Sequence, residues 1–445
     1  MKRTACFFIA SLALSFSCNA QETPVLLRHA RIIDGNGGRP AENVDMLLRG
    51  DRIAAIGSNL QAKDATIVDM SGKTIMPALI SAHSHIGYVK GNGSSPANYT
   101  RDNLLLQLDR YERYGVGALL CMGTDRPLIF SGFRDSSRAG LLPGARLYSA
   151  GFGFGMPGNP PAAAFGFDKT FTSGDDPEIA KQINALAKLK PEVVKIWVDD
   201  FGGSNPKMPE PVYRAIIREA HKHHLRVAAH LYYLADAGKL IDAGIDIIAH
   251  SIRDMDIDES TLKKMKEKHI MYIPTLSRDA FEFMYADNPA WLHDDFFKAS
   301  LEPGVYEMVS SKAFQDKMRN APSYGTIKAG LATALRNLKK IHDAGITVVM
   351  GTDSGATPTR AEGFAEHLEL QLMVQAGLTP LEAITVSTKN AAQLLRCDKD
   401  YGTLEAGKKA DFVVLGQNPL TDIHNTETIE EVWKNGKKAT SQASH

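Results

Sequence analysis

Eight short apolar runs punctuate the middle of the chain: TIMPALISA, GALLCMG, RLYSAG, EVVKIWV, LRVAAHL, IDIIAH, IMYIPT and ITVVMGT. Strands this apolar need cover on both faces. The helix-like stretches between most of them, such as residues 102–114 and 211–224, can supply it. The pattern is that of parallel βαβ units, and eight strands is the number that closes a (β/α)8 TIM barrel. A chain of 445 residues has room for such a barrel and a subsidiary domain.

The ends read differently. VLLRHARIID, DMLLRG, DRIAAIG and TIVDM are short segments broken by turn residues, and ADFVVLG with IEEVWKNGK repeats that texture near the C-terminus. The expected fold is therefore α/β: a barrel over 76–399 and a small β-sandwich domain assembled from 21–75 and 400–440. One connection is abnormally long. Residues 276–323, after the seventh strand, carry Phe281, Phe283, Tyr285, Trp291, Phe296, Phe297 and Tyr306. Connections of that length are lids or binding elements, or else external helical decoration. Their aromatics lean toward an apolar portion of a substrate.

The first twenty residues have Lys2 and Arg3, a short apolar run and small residues ending at Ala20. This is the layout of a secretory signal cleaved near Ala20, so the mature protein is expected to be exported, periplasmic or secreted. A lipoprotein anchored through Cys18 is the alternative. No other segment is long and apolar enough to span a bilayer. Only Cys121 and Cys397 lie beyond the signal, too few for a disulfide framework, and Cys121 in GALLCMG reads as a core residue. The balance of 51 basic against 51 acidic residues argues against a nucleic-acid or anionic-membrane surface.

Active-site groups of a barrel lie at the C-terminal ends of its strands. Strand one ends in His83 and His85, strand five in His230, strand six in His250 and strand eight in Asp353. Any one of them could be an ordinary polar residue at a strand end. Five at one rim make a ligand set suited to a borderline metal such as zinc. Residues 83 and 85 also share a face, because strand side chains repeat every two.

Lys195 lies within strand four, on the face of Val193 and Trp197. A bare ammonium there is costly and would be repelled by metal cations. Carbamylation by CO2 removes both problems and gives an anion able to bridge two metals about 3.5–4 Å apart. The plainer reading is a lysine reaching the rim or pairing with Asp199 or Asp200.

AHSH, VVKIWVDD, VAAH, IDIIAH, GTDSG and GTLEAGKKADFVVLGQNPL together resemble the amidohydrolase superfamily, near its imidazolonepropionase-like and metal-dependent dipeptidase branch. The resemblance covers essentially the whole mature chain. It implies two divalent metals, most economically zinc, with His83, His85 and Asp353 on one, His230 and His250 on the other, and carbamylated Lys195 between them. It implies a metal-bridging hydroxide as nucleophile and Asp353 as the acid–base residue. The family often has an aspartate two residues before the first histidine, where this chain has Ser81.

Tyr232, two residues past His230, matches a tyrosine of dipeptidase-like relatives and is a candidate for contacting the substrate carbonyl or carboxylate, or else a packing aromatic. Arg253 is a candidate partner for a substrate carboxylate, or else pairs with Asp254 or Asp256. His293 in the insertion is a further substrate-binding candidate. His221, His223 and His224 suit a solvated helix end, His367 reads as structural, and GFGFGMPGNPP shapes the mouth.

These readings give an exported hydrolase of carbon–nitrogen bonds in dipeptides or N-acyl amino acids, acting on a small molecule with no nucleic-acid partner. A cyclic amide, a lactone or an organophosphate ester would suit the same site. A non-catalytic barrel-fold binding protein is the reading from another class. The resemblance leaves a homo-oligomer open.

Overall fold

Parallel strands rich in valine, isoleucine and alanine surround the centre of the protein, in a computed structural model that describes residues 23–156, 170–172 and 174–439. The first twenty residues, with Cys18, and residues 157–161 of the glycine- and proline-rich loop lie outside the described residues. Five strands precede the barrel region: β1 (Val25–Ile32), β2 (Ala41–Arg49), β3 (Arg52–Gly57), β4 (Thr66–Asp69) and β5 (Thr74–Pro77). Next come β6 (Leu79–Ser84), a short hairpin of β7 (Val89–Lys90) and β8 (Gly93–Ser94), then β9 (Val116–Cys121) and β10 (Arg146–Ser149). The others are β11 (Val193–Trp197), β12 (Arg226–His230), β13 (Ile247–Ala249), β14 (Met271–Ile273), β15 (Phe412–Leu415), β16 (Ile429–Lys434) and β17 (Lys437–Lys438).

The central strands form two parallel sheets, ordered β10-β9-β6 and β11-β12-β13-β14. Single bridges join them: Phe154 to Ile196, Tyr272 to Val348 and Ser84 to Ser354. The eighth run is thus no regular strand; residues 347–354 link the last strand to the first through isolated pairings. Gly351 makes the approach possible, since a Cβ there would lie 2.6 Å from both His83 Cβ and Ile273 Cγ2. The arrangement is a TIM-barrel-like α/β fold. Helices fall where the apolar periodicity put them, including Arg101–Arg113 and Glu210–Lys222.

Two-residue alternation sorts the strand side chains. Ile80, Ala82, Leu120, Val193, Ala228, Ile247 and Ile273 pack in one inner cluster. Leu119, Cys121, Val194, Ile196, Val227 and Ile248 pack outward in the larger core beneath the helices. Lys195 therefore shares the inner face with Val193, as its position in the run implies. Cys121 and Cys397 are both free thiols.

The two chain ends meet in one mixed network of hydrogen-bonded strands. Its order is β17-β16-β15-β5-β1-β2-β3, with β4 beside β1. β5 pairs parallel with β1 and antiparallel with β15, joining the two halves, and Arg52 of β3 bridges to Lys409 just before β15, so the sheet curls back on itself. Leu27, Ile32, Met46, Ile75, Phe412 and Trp433 form its core, and Phe412 stacks on Trp433. A buried ion pair between Arg146, at the start of β10, and Asp411 fastens this sheet to the barrel region.

Residues 276–323 fold into short helices whose aromatics serve their own core. Phe281, Tyr285 and Phe297 are buried, and Trp291 packs on Phe297 and on Phe364 of the helix Phe364–Gln375. Their abundance therefore says nothing of an apolar substrate. Among the described residues no helix is long and apolar enough to cross a membrane.

Candidate metal centre and active site

The histidines at the strand ends converge. The His83 and His250 rings lie 4.5 Å apart between centroids, His230 and His250 lie 4.2 Å apart, and His83 and His85 lie 5.6 Å apart. Asp353 Oδ1 sits 2.8 Å from His85 Nε2 and 3.2 Å from His83 Nε2. His83, His250 and Asp353 place three ligand atoms within 4.8 Å of one another, all buried. That is the donor chemistry and spacing of a divalent metal site. The tightest trio takes His250 where the resemblance grouped His85 with His83.

Lys195 is fully buried and its Nζ has no hydrogen-bond partner among the described residues. Gly123 lets it pack there, because a Cβ at that position would meet Lys195 Cβ at 2.7 Å. Burial pulls the amine down to about 7 against the attraction of Asp353 and Asp199. The pairing with Asp199 or Asp200 is not formed: Asp199 Oδ2 faces His230 Nε2 at 3.3 Å, and Asp200 accepts from Tyr233. An amine of this kind fits a group that is modified or neutral in use.

Burial keeps His83, His230 and His250 well toward the neutral, ligating form. Burial opposes ionisation of Asp353, but Arg360 and the two histidines outweigh it and hold the carboxyl well below its ordinary value. Two rings are oriented by hydroxyls: Thr124 Oγ1 lies 2.7 Å from His85 Nδ1 and Thr275 Oγ1 lies 2.8 Å from His250 Nδ1. His250, Thr275 and Asp353 all have positive φ, 82°, 50° and 58°. Each such position costs about 1–3 kcal/mol that the surrounding packing must offset.

A cavity of about 270 Å³ opens beside His230, lined by Asp199, Phe201, Tyr232, Arg253, Arg278, Glu282 and Thr326 among others. The Arg253 guanidinium lies over the Tyr232 ring at 4.6 Å. Its Nε is 3.4 Å from Asp279 Oδ2, so neither Asp254 nor Asp256 is its partner. Asp254 instead caps Leu234, and Asp256 is held by Arg336 and Lys340. Both Tyr232 and Arg253 are thus at the cavity wall.

His293 is not. It is exposed, hydrogen-bonded to Asn288 and within 3.5 Å of the Tyr306 hydroxyl, and absent from the cavity lining. The insertion turns that side chain outward, and Arg278, Asp279 and Glu282 meet the cavity instead. His221 pairs with Asp246 at an exposed helix end, and His367 is buried between Thr426 and Tyr114.

Sequence reasoning missed Arg278, Arg360, Thr124 and Thr275, and named Asp199 only as a partner for Lys195. Strand seven ends in IPT and shows no histidine, yet the strand-end rule applied there leads to Thr275 and Arg278.

An ochratoxinase of Aspergillus niger is 25% identical over 477 residues, covering 94% of this chain and 87% of that protein. An imidazolonepropionase of Alkaliphilus metalliredigens is 24% identical over 419 residues, covering 88% of each. A Xaa-Pro dipeptidase with bound methionine in its active site superposes with a TM-score of 0.72 at 21% identity, covering 94% of this chain and 99% of that one. The crystal structure of A. niger ochratoxinase superposes with a TM-score of 0.70 at 21% identity, over 95% and 96% of the two chains. The sequence pattern of the amidohydrolase family matches residues 74–439. That match runs from β5 to the last strand of the sheet and takes in every one of the converging side chains: this chain belongs to the amidohydrolase family.

Proposed function

We propose that this chain is an exported, metal-dependent hydrolase of amide bonds in dipeptides or N-acyl amino acids. The observation that carries the reading is the convergence of His83, His85, His230, His250, Asp353 and buried Lys195 beside a cavity walled by arginines. Two divalent metals, most economically zinc for this nitrogen and oxygen donor set, would supply an activated water and a polarised carbonyl. The five strand-end residues would hold them, together with Lys195 as a carbamate.

The remaining steps belong to the protein. Water adds to the amide carbon, the C–N bond breaks, and a carboxylate and an amine result. Asp353 Oδ1 takes the proton from the attacking water and delivers it to the leaving nitrogen, while Oδ2 stays on Arg360. Tyr232 donates its hydroxyl hydrogen to the substrate oxygen. Arg253 and Arg278 face a substrate carboxylate, which charge-assisted hydrogen bonds would fix in register. A Xaa-Pro dipeptidase among the structural neighbours supports a dipeptide-like substrate.

The test is metal quantitation on wild type and Lys195→Ala, then turnover of dipeptides, N-acyl amino acids, lactones and phosphotriesters. Two metals per chain, fewer without Lys195, and turnover confined to the amides are expected. Turnover of lactones or phosphotriesters alone would overturn the assignment.

A further inference from the structure

Glu366 is fully buried in the first turn of the helix Phe364–Gln375, away from the cavity. Its Oε2 accepts from Gly363 N at 3.0 Å, which caps that helix. Its Oε1 does something unrelated to capping. It accepts from Ser81 Oγ at 2.9 Å, Thr352 Oγ1 at 2.7 Å and Ser354 Oγ at 3.0 Å. Ser81 in turn accepts from Ser84 at 2.8 Å, and Ser354 is joined to Tyr111 at 2.7 Å.

Ser81 and Ser84 flank His83 on β6, and Thr352 and Ser354 flank Asp353. One carboxylate oxygen thus holds the two segments that carry His83, His85 and Asp353. The backbones follow the same alignment: Thr352 N and Asp353 N donate to His83 O at 2.9 and 2.8 Å, and His85 N donates to Ser354 O at 2.8 Å. His83 depends on this most. Thr124 orients His85 and Thr275 orients His250, whereas His83 Nδ1 is buried with no hydrogen-bond partner among the described residues. Besides its Nε2 contact with Asp353, the backbone is what positions its ring.

We propose that Glu366 is a positioning residue of the metal centre. Its buried carboxylate, from a helix that carries no ligand, fixes the distance between the strand-one histidines and Asp353 and so sets metal affinity. The proposal rests on the metal-centre reading above. It also accounts for Ser81: the anion beneath the strand-one ligands comes from the helix, and a short hydroxyl completes the contact at 2.9 Å.

The test uses the full chain, stripped of metal and titrated with Co²⁺ against a competing chelator, reading affinity, the visible spectrum of the cobalt protein and the melting temperature without metal. Glu366→Gln is expected to bind Co²⁺ about 10–100-fold more weakly, with an altered spectrum. Moving the carboxylate across the contact, in the double variant Ser81→Asp with Glu366→Ala, is expected to restore affinity and spectrum toward wild type.

Should Glu366→Gln fail to fold, Ser81→Ala and Thr352→Val each remove one donor to the same oxygen and are expected to weaken binding severalfold. Wild-type affinity and spectrum in folded Glu366→Gln would overturn the proposal. So would an unchanged affinity in both single-donor variants, or a lowered metal-free melting temperature with unchanged cobalt binding. A wild-type protein that binds no cobalt would defeat the metal-centre reading itself, a distinguishable result.

Discussion

Arg360 and Asp353 form a buried ion pair behind the ligand histidines, through Arg360 Nη1 and Asp353 Oδ2. Burial pushes Asp353 up, and Arg360 is the foremost of the groups pulling it below its ordinary value. Removing the guanidinium therefore raises the pKa of the proposed base. A base acts only when ionised, so the acid limb of the kcat/KM profile moves to higher pH in Arg360→Met. Profiles of wild type and variant over about pH 5 to 9 check this; superimposable acid limbs would refute it.

Arg278, on the cavity wall, lies 2.6 Å from Asp279 and 3.8 Å from Asp353. A charged hydrogen bond to a substrate carboxylate contributes about 1.5–3 kcal/mol. Arg278→Met should accordingly lower kcat/KM for a free-acid dipeptide by about 10–150-fold and leave its C-terminal amide nearly unaffected. His293→Ala, lying outside the cavity, should leave both substrates unchanged. Steady-state kinetics on the paired substrates separates these outcomes.

His367 is fully buried, and burial lowers it from 6.5 to about 4. The sign follows from linkage. The unfolded chain binds the proton below about 6.5 and the folded chain only below about 4, so stability is full above 6.5 and declines as pH falls through that window. Between pH 7 and 5 this one group should cost about 2 kcal/mol. Urea unfolding at both values should show a smaller decline for His367→Gln; equal declines would remove His367 as a source.

Gly351 lies against both His83 and Ile273. Gly351→Ala should destabilise by about 1–3 kcal/mol through overpacking and also reduce metal content, because the same methyl displaces a ligand. Thermal melts with metal analysis would show whether the two losses occur together. Loss of stability with full metal content would contradict the second part.

The ligands were legible because their signal is local. A strand buried on both faces has a strict two-residue period, so the alternation alone puts Lys195 on the same inner face as Val193. Thr124 and Thr275 were not legible, since their contacts depend on histidine ring rotation and on a positive φ at Thr275. Glu366 was hidden for another reason: its helix buries residues on nearly every side, so no polar face marked it. That the two chain ends join through β5 was not legible, because the alternation along a strand does not name its neighbour. The aromatics of the insertion looked like a binding surface because composition does not say what a ring packs against.

Strand β5 has β15 as its neighbour, and the whole barrel sequence separates them. During synthesis, then, β1 to β5 wait with one flank open until the last segment of the chain arrives. A product that stops before Phe412 would keep that flank bare, ready for fibril-like pairing or for a protease. The flank of β5 is thus closed only once Phe412–Leu415 has been made.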